Sequence, residues 1–165
     1  MIISGHAVVI GDDVDTDMII AGRYLRTIDK SVWVDHIFED YDPCLAGKMN
    51  GAVLVAGKNF GCGSSREQAV VALKEAGVRA VIAQSFARIF FRNSINYGLH
   101  IIEADFFCED GVPVVYNSET AEITTENISC KAAPLSTRMQ EILLAGGLAE
   151  YLSTKVQDDD EDCNC

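Results

Sequence analysis

Ser64, Ser65 and Arg66 lie near the end of the segment Gly57-Lys58-Asn59-Phe60-Gly61-Cys62-Gly63-Ser64-Ser65-Arg66-Glu67-Gln68, whose residue types suit it to holding an anion. Its three glycines let the backbone turn tightly and approach a ligand closely. Ser65, with Gln68 three residues on, has the form of a capping box and predicts a helix starting there. Free backbone N–H groups and the positive end of a helix dipole would then face the loop. Such a place stabilises a carboxylate, a phosphate or an ionised hydroxyl. A phosphate-cradling P-loop is excluded, because no lysine immediately precedes the serines. A nucleophile elbow of the form Gly-x-Ser-x-Gly is also absent. Spacing alone leaves a plainer reading open, in which the glycines serve only the turn into a capped helix.

Other residues with chemistry to offer are scattered. Thr16 and Asp17 stand in the polar turn GDDVDTD, where an aspartate usually does no more than shape the turn. Arg88, Arg92 and Asn96 fall at i, i+4 and i+8, one face of a helix that would look toward a substrate, a partner or solvent. The histidines are His6, His36 and His100, and none is a credible base for a stand-alone hydrolase built on Ser64. The six cysteines, Cys44, Cys62, Cys108, Cys130, Cys163 and Cys165, include no CxxC pair. They suggest neither a zinc site nor a local iron–sulfur cluster. With no secretory signal at the N-terminus, reduced thiols and a cytoplasmic location are expected.

The elements that must position these groups follow from periodicity. Residues 7–10, 52–56, 80–83 and 99–103 are short apolar runs with the length and branching of buried strands. Between them, Ala69, Ala72, Leu73 and Ala76 mark one helix ending at Gly77, and residues 85–97 a second ending at Gly98. The resulting β–α–β–α–β order implies parallel strands with right-handed crossovers. Residues 18–27 read as mostly loop, and Trp33, Ile37, Phe38 and Tyr41 as one helix face. Residues 112–116 and 122–125 read as antiparallel strands, and a final helix is expected from about Ser136.

A chain of 165 residues suits one domain, here residues 1–156, followed by an acidic, disordered tail over 157–165. The net charge of −12 argues against nucleic-acid or anionic-membrane partners, and no apolar run is long enough to span a bilayer.

Four blocks then carry a family resemblance: GDDVDTDMIIAGRYL, GKNFGCGSSREQA, AVIAQSFARIFFRNSINYGL and MQEILLAGGLAEYL. In order and spacing they resemble the swivelling domain of the aconitase superfamily, in the form of the separate small subunits of isopropylmalate dehydratase and homoaconitase. The resemblance implies an α/β fold of the β/β/α swivelling type, a mixed barrel-like sheet flanked by helices. It implies a hydro-lyase that moves a hydroxyl between neighbouring carbons of a polycarboxylate. A 4Fe–4S cluster would be held by a large partner subunit and not by this chain, which alone would be inactive. Ser64 takes the position of the family's base. Ser65, Arg66, Thr16 and Asp17 take substrate-contacting positions. Arg26, in Tyr24-Leu25-Arg26-Thr27, falls in the segment that reads the substrate's variable group. A cation there suits a distal carboxylate, as in homocitrate, whereas an aliphatic residue would suit an isopropyl group. Isopropylmalate, homocitrate and dimethylmalate all remain open as substrates, as does a non-catalytic carboxylate-binding module of the same fold.

Overall fold

Apolar runs dominated by β-branched residues and alanine build the sheet in the computed structural model, which describes the backbone of residues 1–162 and the side chains of residues 1–156. Strand β1 is Ile2–Val9, β2 Ala52–Ala56, β3 Ala80–Ala83 and β4 His100–Glu103. β1–β2, β2–β3 and β3–β4 pair in parallel. Every residue of β2 and β3 is buried, as expected of parallel strands covered on both faces. Strands β5 (Pro113–Asn117), β6 (Glu122–Thr124) and β7 (Ser129–Lys131) continue the sheet in antiparallel fashion. The order is β4-β3-β2-β1-β5-β6-β7.

The sheet curls. Ile82 and Ile102 from the parallel half share one buried cluster with Val114 and Ile123 from the antiparallel half. Beyond the two edge strands, Ala133 N donates to Glu103 O at 2.8 Å, so the ends of the sheet meet at one point. This is the mixed, barrel-like sheet expected from the sequence. Its outer face is covered by α1 (Thr16–Ile19), α2 (Lys30–Asp35), α3 (Glu67–Glu75), α4 (Arg88–Tyr97), α5 (Thr137–Ala145) and the start of α6 (Leu148–Asp162). No helix among the described residues is long and apolar enough to cross a membrane.

Several elements differ from the sequence reading. β1 starts at Ile2, because pairing with β5 along Ile2–His6 fixes the polar Ser4-Gly5-His6 stretch that periodicity overlooks, with β2 joining at His6. Residues 18–27, read as loop, hold the second half of α1 and a 3-10 turn over Gly22–Arg26. The helix face suggested by Trp33, Ile37, Phe38 and Tyr41 is broken. Trp33, Ile37 and Phe38 are buried, but α2 stops at Asp35, and Phe38 takes a left-handed φ of 59°. The single C-terminal helix is two helices, separated where Gly146 and Gly147 adopt φ of 96° and 141°. The expected boundary at residue 157 falls inside α6; the side chains of the acidic run, and Cys163 and Cys165, lie outside the described residues.

Candidate active site

The carboxyl ends of β1, β2 and β3 open into three loops that lie side by side, the usual place for a ligand in a parallel sheet. The loop after β2 is stitched to both neighbours. On one side, Gly61 N donates to Val14 O at 2.7 Å and Thr16 N to Cys62 O at 3.0 Å. On the other, Phe60 N donates to Ser85 O at 3.0 Å and Ala87 N to Phe60 O at 2.9 Å. The fully buried Phe60 anchors the loop edge-on against Phe86 and Phe90. Glycine is required at two points. At Gly61, with φ 76°, a Cβ would stand 2.1 Å from the Phe90 ring. At Gly63, with φ 85°, the chain turns outward beside Asp15 and Thr16. Asn59 and Asp13 also take left-handed φ, and Asn59 Nδ2 donates to Asp13 Oδ1 at 2.8 Å.

This stitching brings four of the expected residues into two contacts. Thr16 Oγ1 lies 3.0 Å from Ser64 Oγ and 3.2 Å from Ser64 O, and Thr16 is almost wholly buried. Its single proton has two uses. Aimed at Ser64 O, it leaves Ser64 Oγ as the donor of the pair; turned to Ser64 Oγ, it stabilises an ionised serine. Arg66 Nη1 donates to Asp17 Oδ1, binding the serine loop to α1. Asp15, which the sequence reading did not single out, caps α1 by accepting from Met18 N at 2.8 Å. The signal was present, since an aspartate three residues before an apolar pair has the pattern of an N-cap.

Ser65 is exposed and the capping box it suggested does not form. The N-cap of α3 is Arg66, with no side-chain cap hydrogen bond, so the amides of the first turn remain open. The cause is Gly63, whose turn brings Ser64 to Thr16 before the helix begins. Ser64 is exposed and faces a cleft of about 500 Å³, lined also by Asn59, Gly63, Phe86, Arg88 and Ile89. No histidine lines it. His6 Nε2 bonds to Lys48 O, and His36 Nδ1 to Glu39, which leaves a serine–histidine hydrolase without its base.

Arg26 is not among the residues lining the Ser64 cleft. It is exposed at the end of the 3-10 turn, and among the described residues it forms no salt bridge. The neighbouring cation behaves differently. Arg23 Nη1 and Nη2 donate to Asp40 at 2.7 and 2.6 Å, and Nη2 to Glu39 at 2.8 Å. Tyr24 stacks on His36 at 4.1 Å and its hydroxyl donates to Glu39. The hydrogen bond from Tyr24, reinforced by Arg23, holds the Glu39 carboxyl below its ordinary range. Sequence reading missed this clamp because its partners lie 12 to 17 residues apart in an irregular stretch with no helical or strand period. The arginine face over Arg88, Arg92 and Asn96 is also divided. Arg88 lines the Ser64 cleft, while Arg92 and Asn96 line another, with Ser136 and Arg138.

Residues 46–105 match the aconitase C-terminal domain. The chain is 48% identical over 163 residues to a 3-isopropylmalate dehydratase small subunit from Moorella thermoacetica, covering 95% of this chain and 98% of that protein. It is 49% identical over 159 residues to a methanogen homoaconitase small subunit from Methanocaldococcus jannaschii, covering 94% of each. A crystal structure of 3-isopropylmalate dehydratase from the same archaeon superposes with a TM-score of 0.94 at 46% identity, covering 98% of this chain and 99% of that one.

Proposed function

The chain belongs to the family of 3-isopropylmalate dehydratase and homoaconitase small subunits, and on that premise we propose that it serves a heteromeric hydro-lyase acting on 3-isopropylmalate in the cytoplasm. The observation that carries this reading is the junction at the carboxyl ends of β1 and β2, where Thr16 meets Ser64 and Asp17 meets Arg66. In it, Ser64 removes the proton beside a substrate carboxylate as water is eliminated, and returns it on rehydration. Ser64 accepts that proton as the ionised hydroxyl, its own proton having passed to solvent, and Thr16 holds the serine with its proton turned to Ser64 Oγ until that charge is neutralised. Arg66 and Ser65 meet a substrate carboxylate, with Asp17 fixing the guanidinium until substrate arrives.

Family membership makes this a 4Fe–4S enzyme. The described residues of this chain do not fit such a cluster. Among the described residues no three of histidine, cysteine, aspartate and glutamate gather into a metal-binding group. Burial, with the charges of Asp15 and Asp13, pushes the Cys62 thiol up from its ordinary value, and burial pushes Cys108 up likewise. Both resist the thiolate form that a cluster needs. The proposed reading assigns the cluster to the large subunit that the small-subunit relatives imply, and on it this chain alone would turn nothing over.

Homoaconitase is the second reading, favoured by Arg26. An exposed guanidinium without a carboxylate partner among the described residues suits a third substrate carboxylate better than an isopropyl group. One experiment tests both readings. The purified chain is combined with its large subunit, reconstituted anaerobically, and assayed on isopropylmalate and on homocitrate. Turnover of isopropylmalate by the pair and by neither subunit alone is expected. A higher kcat/KM for homocitrate that Arg26→Val abolishes would assign the enzyme to the second reading. No turnover of either acid would end both.

A further inference from the structure

We propose that Arg88 is a substrate-binding residue that takes a carboxylate of the hydroxy acid across the cleft from Ser64. The inference deepens the reading of Ser64 as the base and rests on it. Three observations carry it. First, Arg88 is the one charged side chain among the residues lining that cleft. Second, it is exposed and forms no salt bridge among the described residues, whereas Arg66 is held by Asp17 and Arg23 by Glu39 and Asp40. Third, its backbone is mounted on the same support as Ser64. Ala87 N bonds to Phe60 O at 2.9 Å, and Phe86 and Phe90 flank Phe60, so Arg88 and the serine loop are fixed to one aromatic cluster.

The chemistry fits a carboxylate. A guanidinium presents two parallel N–H donors that match the two oxygens of the group, and it keeps its charge at any working pH. A chain of net charge −12 repels a polyanionic substrate unless local positive charge receives it. The same charge near Ser64 favours the ionised hydroxyl that a base needs. Arg92 and Asn96, one and two turns further along α4, face a different cleft, so the role falls to Arg88 alone of that stripe.

The test uses the reconstituted two-subunit enzyme carrying Arg88→Gln or Arg88→Lys. Arg88→Gln is expected to raise KM for the hydroxy acid by about tenfold to hundredfold, the range for losing a charge-assisted hydrogen bond, with a smaller change in kcat. Calorimetric binding of 2-isopropylsuccinate, a dicarboxylate with no hydroxyl to eliminate, should weaken by a similar factor. Arg88→Lys should lie between the two, and the affinity of the subunits for each other should not change. Unchanged KM and unchanged dicarboxylate binding in Arg88→Gln would overturn the proposal. So would a loss of activity matched by a loss of subunit affinity, which would make Arg88 an interface cation. If the wild-type complex turned over no hydroxy acid, the functional reading would fail. Weakened dicarboxylate binding in Arg88→Gln would then still assign the carboxylate to Arg88, and unaltered binding would refute it.

Discussion

A serine hydroxyl is too weakly acidic to act as a base at neutral pH without help, and in the role proposed for Ser64 the help comes from the first turns of three helices. Thr16 supplies a hydroxyl at 3.0 Å, the first turn of α3 supplies open amides, and Arg88 supplies charge across the cleft. Ser64→Ala removes the proton acceptor without touching the buried residues beneath, since Ser64 itself is exposed. In the reconstituted complex, kcat should fall by about 10²–10⁴-fold, the range for losing a general base, while KM and subunit affinity stay near wild type. Steady-state kinetics on the purified complex check this. Retained turnover would reduce Ser64 to a residue that shapes the turn into α3. Cys62, two residues away, offers no substitute base, because burial and the neighbouring aspartates push its thiol up from the ordinary value.

At the scale of the element, the 3-10 turn over Gly22–Arg26 owes its position to the clamp from residues 36–40. Glu39 is the centre of that clamp, accepting from Tyr24 and Arg23 and bonded to His36. Glu39→Gln should weaken the hold on Arg23, leaving its two bonds to Asp40, and loosen the turn that carries Arg26. The expected outcome is a severalfold rise in KM with kcat little changed, and a shifted preference between homocitrate and isopropylmalate. Measuring both substrates with the mutant complex decides it; a uniform loss of kcat would point instead to damage at Ser64. This clamp also shows where sequence reading runs out. Residues 52–103 were legible because all-apolar strands alternate with helices that stop at Gly77 and Gly98, each taking the left-handed φ expected of a stop. The serine loop was legible through its glycines and the family blocks. The stretch 18–48 and the strand β7 were not, since short 3-10 turns and a three-residue edge strand carry too few side chains to show a period. The Ser65–Gln68 capping box misled for a related reason, because a local pattern yielded to the long-range contact of Ser64 with Thr16.

The whole molecule closes where the two edges of the sheet meet, and one edge, β4, begins at a half-buried histidine beside a lysine. Lys74 Nζ is fixed there by the carbonyls of Tyr97 and Gly146, at 2.7 and 3.0 Å, where α4 and α5 end. Burial first, and the charge of Lys74 second, lower the His100 pKa from its ordinary 6.5. The native state therefore binds a proton at His100 less readily than the unfolded chain does. Between the lowered native value and about 6.5 the unfolded state carries more protons, so stability rises with pH across that window and is flat above it. A second loss is expected at lower pH. Asp110 accepts from Val9 N at 3.0 Å and pairs with Lys48, contacts that hold its carboxyl below the ordinary range, and that stability disappears as the carboxylate protonates. The net charge of −12 works in the opposite direction, because self-repulsion eases as acid neutralises carboxylates. The two slopes separate with His100→Gln, which removes the titration and leaves the net charge at pH 7 unchanged. Urea midpoints between pH 5 and 8 at fixed ionic strength should fall more steeply on acidification for wild type than for the mutant. Parallel curves would mean that His100 titrates alike in the folded and unfolded chain, and the start of β4 would then contribute no pH dependence of its own.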